Sequence, residues 1–389
     1  MTIHIDSLPN EIILEIFEYL YELMDMINCS YVCKRWRCLA LYRLSRVKGL
    51  CGPYCEYTIC SDIISANVNE SEYKITKLLP NLKIIDSLFD GRGLTVRFTH
   101  ALVHLKQLRA VRLYYPHLLA RATVLPTKIH SVNTHYSRRY FGLIASQLGP
   151  QLKQLYLMIF PFRELATYAH LMPLLIRLHL QLKPVEPDVY YHGPELSNLQ
   201  ILELVAKNQN GVISLNLALY MLNYCPKLKS AYFCLRTEKF CKKLYPSRID
   251  RHTNLEDLVL IFHTNRQWRN PDYWNFLIVA LTKFPNLKHL AIRDNCRLTE
   301  GVIIQILERL PNLRILDVRG ALVDSETLIQ TANSKREKPV EIFLGFYQMR
   351  YVPTNRMNPK LDFMRHCFFV NEFPGLPRLF DLEEEEDDE

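Results

Sequence analysis

One group of potential metal ligands in the sequence is a trio of cysteines, Cys51, Cys55 and Cys60. A structural zinc site normally needs four ligands, and the residues around this trio offer no fourth. The chain of 389 residues contains 11 cysteines, an odd number without the regular spacing of a disulfide framework. This usage is typical of reduced thiols in the cytosol or nucleus. We therefore predict no metal site, with zinc at this trio as the alternative.

The sequence also lacks patterns that are typical of catalysis. It contains no glycine-rich phosphate loop, no histidine pair at metal-binding spacing and no serine nucleophile elbow. Glycine contributes only 12 of the 389 residues, which leaves few places where the backbone could approach a phosphate closely. We expect a non-catalytic chain without a cofactor, in which any associated reaction is performed by a partner.

The N-terminal region predicts an amphipathic helix from about Pro9 to Leu20. Proline suits the first turn of a helix, and Glu11 places a negative charge near the positive end of the helix dipole. Ile12, Ile16 and Leu20 then recur every four residues, which draws an apolar stripe along one side of the helix.

Two further short helices are predicted, one over residues 23–28 and one over residues 29–41. The third helix carries Val32 and Trp36 on one side and Lys34 and Arg37 on the other. A unit of about 40 residues rarely buries enough surface to be stable alone, so its surplus apolar side chains should pack on another surface. That surface belongs either to this chain or to another protein.

These residues resemble an F-box from end to end. The matching segments are L-P-x-E-I (residues 8–12), I-F-x-x-L (16–20), L-x-D (23–25) and V-C-K-x-W (32–36). In that family the motif docks onto a small Skp-type adaptor and, through it, onto a cullin-RING ubiquitin ligase. The resemblance implies that the following residues carry adaptor docking or hold the docking helices: Leu8, Pro9, Ile12, Ile16, Leu20, Val32, Cys33 and Trp36. Ordinary core packing is the alternative role for those that face inward.

The sequence repeats itself from about residue 80 onward. Segments of the form L-x-x-L-x-L, with other apolar residues allowed, start at Leu82, Leu108, Ile129, Leu152, Leu175, Leu199, Leu228, Leu255, Leu287, Leu313 and, for a possible last one, Val340. A period of about 26 residues is the signature of leucine-rich repeats. Alternating apolar residues predict a strand in each repeat, and helical patterns between strands predict parallel crossovers.

The predicted fold class is therefore α/β: a short N-terminal three-helix F-box followed by a curved leucine-rich-repeat solenoid with a parallel sheet on its concave face. Pro-Asn-Leu or Pro-Lys-Leu recurs before predicted strands, at Pro80, Pro226, Pro285 and Pro311, where the chain leaves a helix and enters a strand. Asn295 falls where the repeat family has Asn or Cys, whose side chain caps buried loop backbone.

The side chains that alternate outward from the predicted strands are candidates for binding a target protein. They are Arg112, Tyr114, His135, Tyr156, Arg177, His179, Tyr232, Arg293 and Arg319. Tyrosine and arginine are enriched in protein interfaces because they combine a large buried area with hydrogen bonding. A solvated face without a specific ligand is the alternative for any one of them. RNA is disfavoured because no aromatic and basic motif recurs at a fixed spacing.

Charge is distributed unevenly along the chain. The net charge is +8, yet the last nine residues hold eight acids and no base, so the remainder carries +16. A basic body favours acidic partners, and the acidic segment is either a ligand for that body or a solvated disordered tail. No apolar run reaches the length of about 18 residues that a membrane span needs, and the first residues do not resemble a secretory signal.

These patterns divide the chain as follows: an F-box over 1–45, a linker or N-terminal cap over 46–79, a solenoid of about 10–11 degenerate repeats over 80–344, a C-terminal cap or ordered segment over 345–380 and an acidic disordered tail over 381–389. The leading functional expectation is a cytoplasmic or nuclear substrate-recognition subunit of an SCF-type ubiquitin ligase. The alternative is a ligase-independent repeat scaffold that binds an acidic protein or RNA.

Overall fold

The structure is a computed structural model that describes residues 5–51, 63–66, 75–86, 102, 104–113, 116–117, 128–182, 190–205, 215–236, 246–263, 271–293, 298–321, 323 and 338–344. Tyr114, Cys55, Cys60 and Asn295 lie outside these residues, as do segments 345–380 and 381–389. The chain forms two compact units, the first ending at Leu152 and the second beginning at Lys153.

The α-helices of the described residues are short. They are α1 (Asn10–Glu18), α2 (Leu23–Val32), α3 (Lys34–Ser45), α4 (Ile75–Leu78), α5 (Arg138–Leu148), α6 (Leu165–Tyr168), α7 (Leu215–Met221), α8 (Pro271–Leu281) and α9 (Glu300–Arg309). The helix predicted from Pro9 begins one residue later and ends two residues earlier than Leu20, a difference within the usual uncertainty of helix ends. None of these helices is long and apolar enough to cross a membrane.

The first unit contains α1 to α5 and a parallel sheet. Its strands are β1 (Gly49–Cys51), β2 (Ile63–Ser65), β3 (Ile84–Asp86), β4 (Ala110–Leu113) and β5 (Ser131–His135). Their order across the sheet is β2, β1, β3, β4, β5. β2 is thus an edge strand, and the turn between α1 and α2 lies against it. The amide of Ser65 donates to the carbonyl of Tyr21 at 2.6 Å, which occupies a donor on an otherwise open edge.

The second unit contains α6 to α9 and strands in sequence order. The strands are β6 (Gln154–Phe160), β7 (Arg177–Leu182), β8 (Ile201–Val205), β9 (Ser230–Arg236), β10 (Asp257–His263), β11 (His289–Arg293), β12 (Ile315–Asp317) and β13 (Glu341–Phe343). Each strand pairs in parallel with the next one. This arrangement of parallel strands after N-terminal helices confirms the predicted α/β repeat class.

The leucine periodicity locates the strands. The first ten predicted repeat starts each lie two residues before an observed strand, as Leu82 does before β3 and Leu313 before β12. All ten are buried, with at most 2% of their surface exposed. Val340 instead lies one residue before β13, so the last predicted start is shifted by one residue. Buried leucines at each strand entry therefore set the register of neighbouring repeats.

The second face of the strands is more buried than the sequence predicts. In β10, Leu258 and Leu260 belong to the leucine core and are fully buried, yet Val259 and Ile261 on the opposite face are only 1% and 2% exposed. The residues that pair with Val259 across the sheet include Tyr232, whose large side chain lies on the same face. Because adjacent strands are only about 4.8 Å apart, such side chains cover one another. The alternative of a solvated outer face therefore does not hold in β10, where both faces are buried.

Truncating a core leucine should destabilise the second unit strongly. We expect Leu290→Ala in β11 to lower the free energy of unfolding by about 2–5 kcal/mol, because Leu290 is fully buried and the substitution leaves a cavity. Val279→Ala is the matched control, since Val279 in α8 is 47% exposed, and its effect should stay within about 0.5 kcal/mol. Urea unfolding of both variants measures the difference. Equal shifts would contradict the placement of the core.

Candidate docking surfaces

Helix α1 presents two different apolar faces. Ile13 and Phe17 are 1% exposed and form the inward face, whereas Ile12 and Ile16 are 41% and 40% exposed. The four-residue period predicted from the sequence is therefore real, but the Ile12 and Ile16 stripe faces outward. Large apolar side chains left exposed at helical spacing mark a surface that a partner can cover.

Arg35 connects the start of α1 to the start of α3. Its Nε donates to Oδ1 of Asn10 at 2.8 Å, and its guanidinium also donates to the carbonyl oxygen of Leu8. The corner between α2 and α3 is therefore held beside the N-terminal end of α1. Cys33 at this corner caps α3, because its Sγ accepts a hydrogen bond from the amide of Trp36 at 3.4 Å.

The corner carries further exposed apolar side chains. Val32 is 60% exposed and Tyr31 is 63% exposed, at the end of α2. We call Ile12, Ile16, Tyr31 and Val32 the helix face. Tyr31 was not among the residues singled out from the sequence. Its position beside the predicted Val32 was the available signal, since an aromatic residue next to an exposed apolar one favours an interface.

The remaining predicted adaptor residues occupy mixed environments. Leu8 and Leu20 are half-buried, and Pro9 and Cys33 are exposed. Trp36 is half-buried and packs edge-on against Phe17, with ring centroids 5.4 Å apart. Trp36 therefore joins α3 to the inward face of α1. Direct adaptor contact by any of these residues stays a prediction.

The second face of the repeat strands carries a buried ion pair between β7 and β8. Arg177 donates from Nε and Nη2 to the two carboxylate oxygens of Glu203, both at 2.8 Å, and Nδ1 of His179 lies 3.2 Å from the same carboxylate. Burial opposes ionisation of Glu203, but the charges of Arg177 and then His179 outweigh it and lower its pKa to about 2. The ring of His179 also packs on Tyr156, with centroids 4.0 Å apart.

A second buried ion pair lies toward the other end of the same unit. Nε of Arg293 donates to Oδ2 of Asp317 at 2.6 Å, and Arg319 donates from Nε and Nη2 to both oxygens of that carboxylate. Burial opposes ionisation of Asp317 as well, yet the hydrogen bond from Arg319 and the charge of Arg293 keep its pKa below the usual range. The two clusters hold their arginines in fixed orientations.

An apolar cluster lies on strands β8 to β12 of this unit. Its buried members are Val205, Tyr232, Cys234, Val259, Ile261, Ala291 and Ile315, and Phe343 packs against them. Apolar and aromatic side chains of this kind are typical of the core of a protein interface.

Ser230, Asp257 and His289 lie on adjacent strands but do not form a hydrolase triad. The Ser230 hydroxyl donates to Oδ2 of Asp257 at 2.5 Å, and Nδ1 of His289 lies 2.6 Å from Oδ1. In a catalytic triad the imidazole lies between the hydroxyl and the carboxylate and removes the hydroxyl proton. Here the carboxylate occupies the middle, so Ser230 faces no base in this group and the group orders three strand starts.

The predicted target-binding residues are therefore positioned as follows. Arg112, Tyr156, Arg177, Tyr232 and Arg293 are buried, with 1% to 6% of their surface exposed, and His135, His179 and Arg319 are half-buried. His179 is brought together with Tyr156 and Arg177, and Arg293 is brought together with Arg319. Their contact with a target stays a prediction. Across the described part of the chain, no group of three or more histidine, cysteine or acidic residues is placed to hold a metal.

The fold defines the class of protein: an α/β protein of leucine-rich-repeat type with three short helices at its N-terminal end. Residues 5–46 match the F-box-like family, so the front helices are an F-box-like domain. No curated protein matches the sequence.

Several solved structures resemble the chain. A chain in the TLR13 complex with ssRNA13 is 15% identical, with a TM-score of 0.44, over 76% of this chain and 45% of that one. The matched part is thus less than half of that neighbour. An internalin (InlF) from Listeria monocytogenes is 15% identical, with a TM-score of 0.36, over 71% and 78% of the two chains. A chain in the complex of Rad7 and Elc1 in yeast is 14% identical, with a TM-score of 0.33, over 86% and 92%. At TM-scores this low, these similarities decide neither fold nor function.

The buried carboxylate of Glu203 should make stability depend on pH. Its folded pKa of about 2 lies below the value of about 4.3 in an unfolded chain, so its stabilising contribution is complete above that unfolded value and is lost as the pH falls toward 2. The size is on the order of 3 kcal/mol. We expect urea midpoints to fall less steeply between pH 5 and 3 for Glu203→Gln than for the wild type. The exposed control Glu308→Gln should keep the wild-type slope, and a wild-type slope in Glu203→Gln would refute this role.

Replacing Arg177, the partner of Glu203, should lower the free energy of unfolding more than replacing both residues of the ion pair. We expect Arg177→Met to lower the free energy of unfolding by about 3–5 kcal/mol, because it leaves a buried carboxylate without its arginine and with only Nδ1 of His179 beside it. The double variant Arg177→Met with Glu203→Leu should recover most of that loss. Denaturant unfolding at neutral pH checks this, and additive losses in the double variant would contradict the pairing.

Proposed function

We propose that this chain is the substrate-recognition subunit of an SCF-type ubiquitin ligase. In this proposal the F-box-like helices dock a Skp-type adaptor, which connects the chain to a cullin-RING ligase. The repeat strands present a target protein, and the complex acts in the cytoplasm, the nucleus or both. The single observation that carries the proposal is the exposure of Ile12 and Ile16 within residues 5–46, the segment that matches the F-box-like family.

The energetics of the helix face favour coverage by another polypeptide. Burying a large apolar side chain contributes roughly 1.5–3 kcal/mol before association costs are counted. Ile12, Ile16 and Val32 keep 40% to 60% of their surface exposed, so this energy is still available to a partner. Ile13 and Phe17 are already buried on the inward side of α1, so the helix is anchored by residues that do not belong to the helix face.

A receptor of this kind works by proximity and needs no catalytic residue. Holding a target beside a charged ubiquitin-conjugating enzyme converts a bimolecular encounter into a nearly intramolecular one. We therefore propose a non-enzymatic chain without a cofactor. The target would contact the second strand face, where the half-buried His179 and Arg319 are held in place by the buried carboxylates of Glu203 and Asp317.

A ligase-independent repeat scaffold that binds an acidic protein or RNA is the second candidate function. The contact of Tyr21 with Ser65 favours it, because helices that cover a sheet edge have a structural use without any adaptor. Co-expression with a Skp-type adaptor separates the two candidates. A stable stoichiometric complex supports the receptor, and its absence supports the scaffold.

Introducing negative charge on the helix face should abolish adaptor binding without unfolding the chain. We expect Ile12→Asp with Ile16→Asp to eliminate co-purification of a co-expressed Skp-type adaptor, because two carboxylates would be buried in an apolar interface. The melting temperature should stay near the wild-type value, since both side chains are exposed. Leu143→Asp in α5, which alters a side chain that is 48% exposed in the same unit, is the matched control and should keep the adaptor. Adaptor binding by the double variant would refute the docking assignment.

A further inference from the structure

The strand-entry edge of the second unit forms a polar groove that the proposed function does not use. Two rows of side chains line it, one residue and three residues before successive strands. The first row contains Lys229, Glu256, Lys288 and Arg314. The groove encloses about 670 Å³, which is far more than a single bound ion would fill. We call it the entry groove.

Backbone hydrogen bonds fix the spacing of the first row. The carbonyl of Lys229 accepts from the amides of Glu256 and Asp257 at 2.8 and 3.0 Å, and the carbonyl of Lys288 accepts from those of Arg314 and Ile315 at 2.7 and 3.1 Å. Each carbonyl thus binds the next repeat at two points. Adjacent members of the row are therefore held about 4.8 Å apart by the sheet.

The second row consists largely of asparagines with one preferred orientation. Nδ2 of Asn254 donates to the carbonyl of Pro226 at 2.6 Å, and Nδ2 of Asn312 donates to that of Pro285 at 3.0 Å. Asn286 does the same with the carbonyl of Thr253 at 2.7 Å. Because the amide donor is used within the protein, the Oδ1 atom remains as an acceptor. The row therefore offers fixed acceptors for the N–H groups of a ligand.

The groove carries a strong excess of positive charge. Lys227, Lys229, Lys288, Arg314 and Lys338 line it, against a single carboxylate. That carboxylate is Glu256, which pairs with Lys288 at 2.8 Å. Among the described residues, no carboxylate pairs with Lys229, Arg314 or Lys338, and all three side chains are exposed. Cations repeated at close spacing repel one another, so an anionic ligand would relieve this repulsion.

We propose that the entry groove binds an extended acidic polypeptide and that its occupant is the acidic segment 381–389 of this chain. Lysines and Arg314 would pair with its carboxylates, and the asparagine row would accept hydrogen bonds from its backbone. No aromatic side chain is among the residues that line the groove, so base stacking is missing and a peptide fits better than RNA.

The dimensions of the segment match the groove. From Gln200 before β8 to Lys338 before β13 the groove crosses six strands, a distance of about 24 Å. Nine extended residues span about 30 Å. Lys338 lies three residues before β13, the last described strand, and the described part of this unit ends at residue 344, one residue after that strand. The residues between 344 and 381 could span up to roughly 120 Å, which does not limit the reach. Tethering would also raise the effective concentration of the segment.

A peptide-binding experiment tests both parts of the proposal. A fluorescent peptide of sequence D-L-E-E-E-E-D-D-E is titrated into the full chain and into a chain that lacks residues 381–389. We expect the shortened chain to bind it roughly tenfold more tightly, because its groove is empty, and to lose affinity as salt is raised. Equal affinity for the two chains would overturn the assignment of segment 381–389 as the occupant.

Substitutions in the shortened chain locate the site. We expect Lys229→Ser, Arg314→Ser and Lys338→Ser together to weaken peptide binding at least about tenfold. The matched control carries Arg163→Ser, Arg251→Ser and Arg309→Ser, because these three arginines are exposed and are not among the residues that line the groove. It should bind the peptide with the affinity of the unsubstituted shortened chain. Glu256→Gln removes the only acid among the described residues that line the groove and should strengthen binding, which keeps the test decisive if the triple variant unfolds. An equal loss in the control, or tighter binding of an RNA oligomer of equal charge, would refute the proposal.

Discussion

Burial of an apolar residue, most often a leucine, just before the repeat strands is the interaction on which the other features of this protein depend. One repeat cannot shelter its leucines alone, so each repeat is stable only when the next one stacks against it. Stacking fixes the strand register, and the register decides which side chains meet across strands. Arg177 reaches Glu203, and Arg293 reaches Asp317, because their strands are paired by that stacking. The same register aligns the lysines and asparagines of the entry groove.

The strands could be predicted from the sequence because burial repeats with a fixed period. Leu82 through Leu313 mark the strands by a constant offset of two residues. The repeat start predicted at Val340 is off by one residue. No leucine marks the entry of β13, and the buried valine lies directly before the strand instead of two residues before it. The helix face was only partly predictable. Apolar residues occur on both sides of α1, and only packing against the rest of the unit decides that Ile13 turns inward and Ile12 outward.

Burial of the second strand face could not be predicted from alternation alone. Alternation assigns Arg177 and Arg293 to the outer face, and both are on it, but alternation does not report which neighbours cover them. Their partners lie 24 to 26 residues away in the sequence, and a local pattern does not encode contacts at that separation. The asparagine row illustrates the opposite case. The Pro-Asn-Leu motif is evident in the sequence. The hydrogen bond that its asparagine makes, as Asn312 does to the carbonyl of Pro285 in the preceding repeat, is seen only in the structure.

The front helices serve the fold and the proposed docking at once, and this limits how their function can be separated. The turn between α1 and α2 covers the edge strand β2 through Tyr21, while the helix face points away from the inward residues Ile13 and Phe17. Deleting the helices would uncover an edge strand and invite strand pairing between molecules, so loss of a partner after deletion would be ambiguous. Substitutions at Ile12 and Ile16 avoid this problem, because neither side chain supports the edge contact. The turn that covers the edge strand is thus separate from the helix face proposed for docking, which allows the two roles to be distinguished.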